Sequence, residues 1–125
     1  MNNNVLVRNI EILSEDAEES LVHITDGVYK CVAFCQPCNV SPNDVIKEPL
    51  FAFNSQYPVL ITTEQPPYMK RQDNSLGYKI LASVSNLENN LVQVGAILIE
   101  LDVSLPGGVK LNDFIKFTCG RLDIF

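Results

Sequence analysis

Three of the four cysteines lie within eight residues, in the segment CVAFCQPC at positions 31–38. Clustered thiols can ligate a metal ion, exchange a disulfide, or pack as small apolar groups in a protein core. Cys35 and Cys38 have the C-x-x-C spacing that zinc sites and redox pairs share. The choice among these three chemistries depends on the backbone that carries the thiols.

The segment around Cys31 and Cys35 is predicted to be a β-strand. Asp26-Gly27 separates two runs rich in β-branched and aromatic residues, which is a strong signal for a hairpin with a two-residue type I′ turn. Because side chains alternate along a strand, Cys31 and Cys35 face the same side, about 13 Å apart. That separation is too large for both sulfurs to bind one Zn²⁺ at about 2.3 Å. The register also sends His23, the one histidine, to the opposite face.

Cys35 and Cys38 lack the surroundings that zinc or redox chemistry requires. A structural zinc site needs a second pair of ligands, and outside this segment the chain offers only Cys119. A thioredoxin-like pair opens a helix, whereas the Asn-Val-Ser-Pro-Asn-Asp that follows Cys38 is typical of a turn. We therefore expect Cys31 and Cys119 to be buried structural thiols and Pro37 to end the strand. Zinc or thiol chemistry at Cys35 and Cys38 is the alternative, and no other cofactor is expected.

The chain is predicted to be a single β-domain spanning residues 1–125. No segment shows the apolar i, i+3, i+4, i+7 spacing of an amphipathic helix, and about six to eight strands are expected. Hairpin turns are predicted at 26–27 and 88–90, and bulges or bends at Gly95 and Gly120. Closure of a sheet removes the exposed edges of long strands. The predicted fold is a small, mostly antiparallel, closed or partly open barrel that is OB-like; the alternative is a β-sandwich.

One short sequence pattern occurs twice. NDVIK at 43–47 and NDFIK at 112–116 each follow turn residues. An Asp or Asn side chain can bond the backbone two residues on and close a turn. We interpret the two segments as the same local turn used twice, not as a repeat architecture.

Charge is distributed unevenly along a chain whose net charge is −6. Residues 1–50 contain three Lys or Arg and eight Asp or Glu, and six of those acids lie between Glu11 and Asp26. Nonspecific nucleic-acid binding is driven by cations that neutralise phosphates, so this composition opposes it. The acidic 11–26 region is expected to be a solvated surface that a partner could dock on.

The segment PPYMKR at 66–71 is the one basic cluster that includes an aromatic residue. It is predicted to lie in an exposed loop. Stacking aromatics and basic groups are what single-stranded nucleic acids bind. Tyr68, Lys70 and Arg71 are therefore the candidate ligand-binding residues, although nucleic acid is not the expected partner.

No catalytic residue is predicted. His23, beside Lys30 on a hairpin strand, is expected to be a surface residue. Exposed carboxylates make poor general acids, and the chain has no Gly-rich phosphate loop. The segment MNNNVLVRNI lacks the features of a signal peptide. No apolar run approaches the roughly 18 residues that span a bilayer. A cytoplasmic location without membrane contact is expected.

Four segments together resemble a small family of bacterial proteins of similar length: AFCQPC, PLFAF, VGAILIELD with LPGG, and NDFIKFTCGRLDI. The resemblance covers residues 18–125, and its most specific parts are the Cys-x-Pro-Cys step and the closing Arg-Leu-Asp-Ile. It implies an OB-like fold and a bacterial cytoplasmic setting, and it implies no catalytic residue. It also singles out Arg121 and Asp123, which share a strand face and are expected to form an ion pair.

The favoured function is a non-catalytic binding or interaction module for a protein or a small molecule. Its ligand would be reached through the barrel loops and the acidic 11–26 region. The first alternative is a metal- or thiol-dependent protein that uses Cys35 and Cys38. The second is single-stranded nucleic-acid binding through the 66–71 loop. The favoured interaction module could also form a homodimer by pairing of a sheet edge.

Overall fold

The computed structural model describes residues 4–124, and each regular element in that range is a β-strand. The all-β prediction is confirmed, and no helix in these residues has the length and apolar character needed to cross a membrane. The strands are β1 (Leu6–Ser14), β2 (Glu19–Thr25), β3 (Lys30–Cys35), β4 (Leu50–Phe53), β5 (Gln56–Ile61), β6 (Tyr68–Arg71), β7 (Tyr78–Asn86), β8 (Leu91–Val94), β9 (Ile97–Leu101), β10 (Phe114–Cys119) and β11 (Arg121–Ile124).

All of these strands belong to one mixed sheet in the order β1-β2-β3-β11-β4-β9-β8-β7-β10-β5, and β6 also pairs with β7. The β3–β11 and β4–β9 pairs are parallel, and the other pairs are antiparallel. One continuous sheet differs from the two sheets of a sandwich. Because β1 and β5 end the order, the sheet is not closed, and an OB-like barrel is not confirmed. No ladder joins β3 to β6. Near β6, the Val32 amide of β3 donates to the Tyr78 hydroxyl of β7 (2.8 Å) and links the two strands.

The β2–β3 hairpin has a longer loop than predicted. Ile24 pairs with Cys31, so residues 26–29 form a four-residue loop and the register differs from the predicted one by two. A shift of two preserves the alternation of side chains, whereas a shift of one would reverse it. His23 therefore lies opposite Val32, on the other face from Val22, Ile24 and Cys31. The buried face is as predicted for Val22, Ile24, Cys31, Ala33 and Cys35, which belong to the hydrophobic core.

The Asp26 carboxylate accounts for the longer loop. Its Oδ1 accepts hydrogen bonds from the amides of Val28 (2.9 Å) and Tyr29 (2.8 Å). Its Oδ2 accepts one from the amide of Ala96 (2.8 Å), in the turn between β8 and β9. Asp26 is only 7% exposed. The carboxylate therefore joins two turns that are distant in sequence. The predicted type I′ turn did not include this role.

We expect the stability of the protein to fall at acid pH in a way that depends on Asp26. Burial by itself raises the pKa of this carboxyl, but the hydrogen bonds from the Ala96, Tyr29 and Val28 amides outweigh burial and hold the pKa below its usual value. A lowered folded-state pKa stabilises the fold above the unfolded pKa of about 3.9, and the stabilisation is lost as the pH falls through the folded pKa. Asp26→Asn is expected to cost about 1–2 kcal/mol at pH 7.

Guanidinium unfolding at neutral pH and at about pH 3 measures this effect. The difference in unfolding free energy between wild type and Asp26→Asn is expected to be smaller at the lower pH. Asp73→Asn is the matched control, because Asp73 is exposed. An equal difference in unfolding free energy at both pH values would contradict the assigned role of the Asp26 carboxylate.

The run that follows Asn90 forms two strands where one long strand was predicted. Gly95 and Ala96 make a two-residue turn, with Val94 paired to Ile97. Gly95 has a φ of +57°, in the left-handed region. Gly120 lies between β10 and β11, where the chain bends from the β7 side of the sheet to the β3–β4 side. A bend at Gly120 is what the sequence predicted.

The two Asn-Asp segments form the same hydrogen-bonded turn. Asn43 and Asn112 have φ values of +75° and +73°. The Oδ2 atoms of Asp44 and Asp113 accept hydrogen bonds from the amides of Ser41 (2.8 Å) and Lys110 (2.9 Å). Each turn also bonds a long strand, since the amides of Asn43 and Asn112 donate to the carbonyls of Val7 (2.8 Å) and Val84 (2.9 Å).

The predicted local turn is confirmed at both places, and the correspondence also extends beyond these turns. The β1–β2 and β7–β8 turns each end on a residue of positive φ, Glu18 at +57° and Asn90 at +54°. The third strand of each half then pairs in parallel with the last strand of the other half, as β3–β11 and β9–β4. Residues 5–53 and 78–124 are therefore two halves of similar strand order that exchange their last strands, with β5 and β6 between them in sequence. They differ in that β10 of the second half corresponds only to the single bridge between Leu6 and Val45 in the first.

Candidate functional site

A groove of about 660 Å³ lies where β3 and β6 are not joined by a ladder. Residues of β1, β2 and β3 line one side of it, and residues of β6 and β7 line the other. Its apolar floor is formed by Ile24, Cys31, Val32, Met69 and Tyr78. Four basic side chains also line it: Arg8, His23, Lys30 and Arg71. We call this feature the basic groove.

Four different strands bring these basic residues together. Arg8 lies on β1 next to Asn9, which pairs with His23 on β2. Lys30 begins β3 and pairs with Thr25. Arg71 ends β6, and its Nε donates to the Ser75 carbonyl (2.8 Å), which restrains the side chain. The sheet therefore gathers residues that are more than sixty positions apart in sequence.

The charge of the basic groove is opposite to that of the whole protein. No Asp or Glu side chain lines it. Across residues 4–124 the structure contains one ion pair, between Arg121 and Asp123, so no carboxylate in this range pairs with Arg8, Lys30 or Arg71. The chain nonetheless carries a net charge of −6. Three unpaired cations on one concave surface create a local positive potential that attracts anions.

The floor of the basic groove is not suited to catalysis. Burial raises the pKa of the Cys31 thiol to about 12. A thiol whose pKa is raised this far stays protonated at neutral pH, and the thiolate is the nucleophile. Burial also raises the pKa of Tyr78, whose hydroxyl accepts the Val32 amide hydrogen bond. Neither group is placed to attack a substrate or transfer a proton near neutral pH.

The predicted ligand-binding residues are divided between two faces. Residues 68–71 form β6 and pair with β7, so the prediction of an exposed loop is wrong there. Tyr68 and Lys70 share one face, where the Lys70 ammonium lies 4.5 Å from the centre of the Tyr68 ring. Arg71 and Met69 lie on the other face and line the basic groove. The structure therefore places one of the three predicted residues in the groove.

The Cys35–Cys38 segment contains two free thiols at the edge of the core. Cys35 is buried, Cys38 is half-buried, and Pro37 lies after the end of β3 with a cis peptide bond to Gln36. Burial, followed by the hydrogen bond and charge of the adjacent Cys38 thiol, raises the pKa of Cys35 to about 12. Within residues 4–124, no group of three His, Cys, Asp or Glu side chains is placed to hold a metal ion. The metal- or thiol-dependent alternative stays a prediction.

The remaining predicted structural residues lie in or against the core. Cys119 is buried, and burial raises the pKa of its thiol to about 11. The Arg121 guanidinium donates from Nε to Asp123 Oδ1 (2.6 Å) and from Nη2 to Oδ2 (2.9 Å). It also lies 4.2 Å from the ring centre of Phe34 on β3 and 5.4 Å from that of Phe53 on β4. Arg121 and Asp123 thus connect β11 to both of its neighbouring strands.

We expect one cysteine to react rapidly with a thiol reagent in the native protein. Cys31, Cys35 and Cys119 are buried with raised pKa values, whereas Cys38 is partly exposed. Titration with a chromogenic disulfide at about pH 8 measures the number of fast thiols. Cys38→Ala is expected to remove the fast phase, and denaturant is expected to release the other three thiols. Two or more fast thiols in the native wild type would contradict this assignment.

Comparisons with protein-family models, with curated proteins and with solved structures find no match. The resemblance to a bacterial family therefore stays a prediction.

Proposed function

We propose that this protein is a non-catalytic binding module whose basic groove takes a small anionic ligand that carries phosphate. The observation that carries the proposal is the convergence of Arg8, His23, Lys30 and Arg71 on a surface that no carboxylate lines. The site differs from the loops and acidic surface expected from the sequence.

The shape and chemistry of the groove support a small ligand. Its volume of about 660 Å³ falls within the range of roughly 300–1,000 Å³ that is typical of small-molecule sites. Guanidinium groups bind phosphate through two parallel hydrogen bonds, and Lys adds a point charge. The floor of Ile24, Val32 and Met69 would contact an apolar part of the same ligand. A phosphate attached to an organic body fits both the rim and the floor.

A long single strand of nucleic acid fits less well. The Tyr68 ring is covered on one side by Lys70 and does not face the groove, and Tyr78 is buried. Stacking on aromatic rings contributes about 1–3 kcal/mol per base in single-strand binders, and the groove offers no ring for it. The acidic residues of the β1–β2 turn would also repel a strand that extended past the groove.

Isothermal titration at low salt tests the proposal. The probes are inorganic pyrophosphate, AMP and an oligothymidylate of about eight nucleotides. We expect AMP to bind more tightly than pyrophosphate because its organic body contacts the floor, and we expect the affinity to fall as salt is added. Absence of binding to all three probes at millimolar concentration would overturn the proposal. Tight binding of the oligothymidylate alone would favour the nucleic-acid alternative.

The OB-like barrel is also kept as a proposal for the shape of this sheet. Its support is the Val32–Tyr78 hydrogen bond, which links β3 to β7 across the open part of the sheet. In this arrangement the basic groove would lie on the unclosed side of the barrel. A ligand bound there would contact both sides of the opening.

A further inference from the structure

We infer that a second copy of this chain pairs with the open edge of β1, in antiparallel orientation, to form a two-fold symmetric homodimer. The acidic turn of each copy then lies beside Arg8, at the start of β1, in the other copy. Dimerisation requires no ligand in the basic groove, but it uses Arg8, which also lines that groove.

The outer edge of β1 is open along most of its length. The Val7 amide donates to the Asp44 carbonyl (2.9 Å) and the Ile46 amide donates to the Val5 carbonyl (2.7 Å), so the first part of the edge is covered. From Arg8 to Ser14, β1 pairs with β2 on its inner side, and no strand within residues 4–124 pairs with its outer side. Open edges of this kind are templates for pairing with another chain.

The other end of the sheet is a poorer partner. β5 contains Pro58, which has no amide hydrogen to donate, and Tyr57, whose φ of +54° interrupts the extended backbone. Proline and local distortion protect edge strands from pairing. Residues 8–14 contain no proline and no residue of positive φ. Pairing is therefore favoured at β1 over β5.

Apolar side chains on the open edge are left exposed. Ile12 is 62% exposed and Leu13 is 50% exposed, and they lie next to each other near the end of β1. Because neighbouring side chains of a strand point to opposite faces, the apolar surface is present on both faces of the hairpin. An added strand would cover part of both side chains.

The charges select the antiparallel orientation. The turn end of the β1–β2 hairpin carries Glu15, Asp16 and Glu18, whereas the other end of β1 carries Arg8. The two ends are about 20 Å apart, because Arg8 and Ser14 are six positions apart in an extended strand. Parallel pairing would place the acidic turns together, and antiparallel pairing places each acidic turn beside Arg8 of the other copy, twice per dimer. Such an isologous contact closes on itself and does not continue into a fibre.

Sedimentation velocity over protein concentrations from about 10 μM to about 1 mM tests the inference. Wild type is expected to show a monomer–dimer equilibrium that weakens at high salt. Arg8→Glu and Asp16→Arg are each expected to weaken the dimer by about tenfold, because each introduces two like-charge contacts. The double variant is expected to recover most of that loss, since it restores opposite charges across the interface.

Two further variants test which edge strand, β1 or β5, forms the dimer. Ile12→Asn is expected to weaken the dimer, and Val59→Asn on β5 is expected to leave it unchanged; circular dichroism checks that both fold. A wild type that stays monomeric at about 1 mM would overturn the inference. So would a double charge variant that dimerises no better than the single variants, or a dimer that Val59→Asn disrupts and Ile12→Asn does not.

Discussion

Replacing Arg8 and Arg71 together with glutamine is expected to weaken AMP binding by about 100-fold, because each charged hydrogen bond to phosphate contributes about 1.5–3 kcal/mol. These two residues lie on β1 and β6, on opposite sides of the basic groove. Each single variant is expected to lose about tenfold. The measurement is isothermal titration of wild type, both single variants and the double variant under the same low-salt conditions.

The matched control is Lys110→Gln with Lys116→Gln. Lys110 and Lys116 are exposed and do not line the groove, and the control removes the same net charge from the chain. It is expected to change the affinity for AMP by less than about threefold, through the long-range field alone. Equal losses in the control and in the Arg8–Arg71 variant would show that overall charge, and not the groove, determines binding.

Gly95→Ala is expected to cost about 2–4 kcal/mol of unfolding free energy. A Cβ at Gly95 would overlap Asp26 Oδ2 and lie 2.7 Å from Tyr29 Cδ2. The φ of +57° is also a conformation that alanine rarely adopts. The substitution would push the Asp26 loop away from the β8–β9 turn, so the Asp26–Ala96 hydrogen bond would be weakened as well.

Gly107→Ala provides the control for this substitution. A Cβ at Gly107 meets no atom within 4 Å, and its φ is not in the left-handed region. It is expected to change the unfolding free energy by less than about 0.5 kcal/mol. Guanidinium unfolding of the three proteins gives the comparison. A Gly95→Ala variant as stable as Gly107→Ala would mean that the two turns are not held together as the structure indicates.

Much of the fold follows from alternation in the sequence. The core face of the β2–β3 hairpin was predictable because side chains alternate along a strand, which puts Cys31, Ala33 and Cys35 on one face. The turn type was not, because the Asp26 carboxylate is used by an amide seventy positions away. The exchange of β4 and β11 between the two halves was also beyond local patterns. Parallel pairing of distant strands leaves no short-range signal of the kind that Asp-Gly gives a hairpin.

Less of the candidate site was predictable. Arg71 was identified from its basic neighbourhood, and the outward face of the hairpin already placed His23 and Lys30 together. Their convergence with Arg8 and Arg71 depends on how β1 and β6 are arranged around the hairpin. That arrangement could not be predicted from local sequence patterns. The grouping of Tyr68 with Arg71 failed because residues 68–71 are a strand, and neighbouring side chains point to opposite faces.

The most direct test of the central claim is where a phosphate ligand binds. Amide chemical-shift changes in ¹⁵N-labelled protein titrated with AMP identify the contact surface. We expect the largest changes at Arg8, Asn9, Lys30 and Arg71, with a saturable dependence on ligand concentration. Saturable changes centred elsewhere, for example on the turn around Lys110, would contradict the assignment of the basic groove as the binding site.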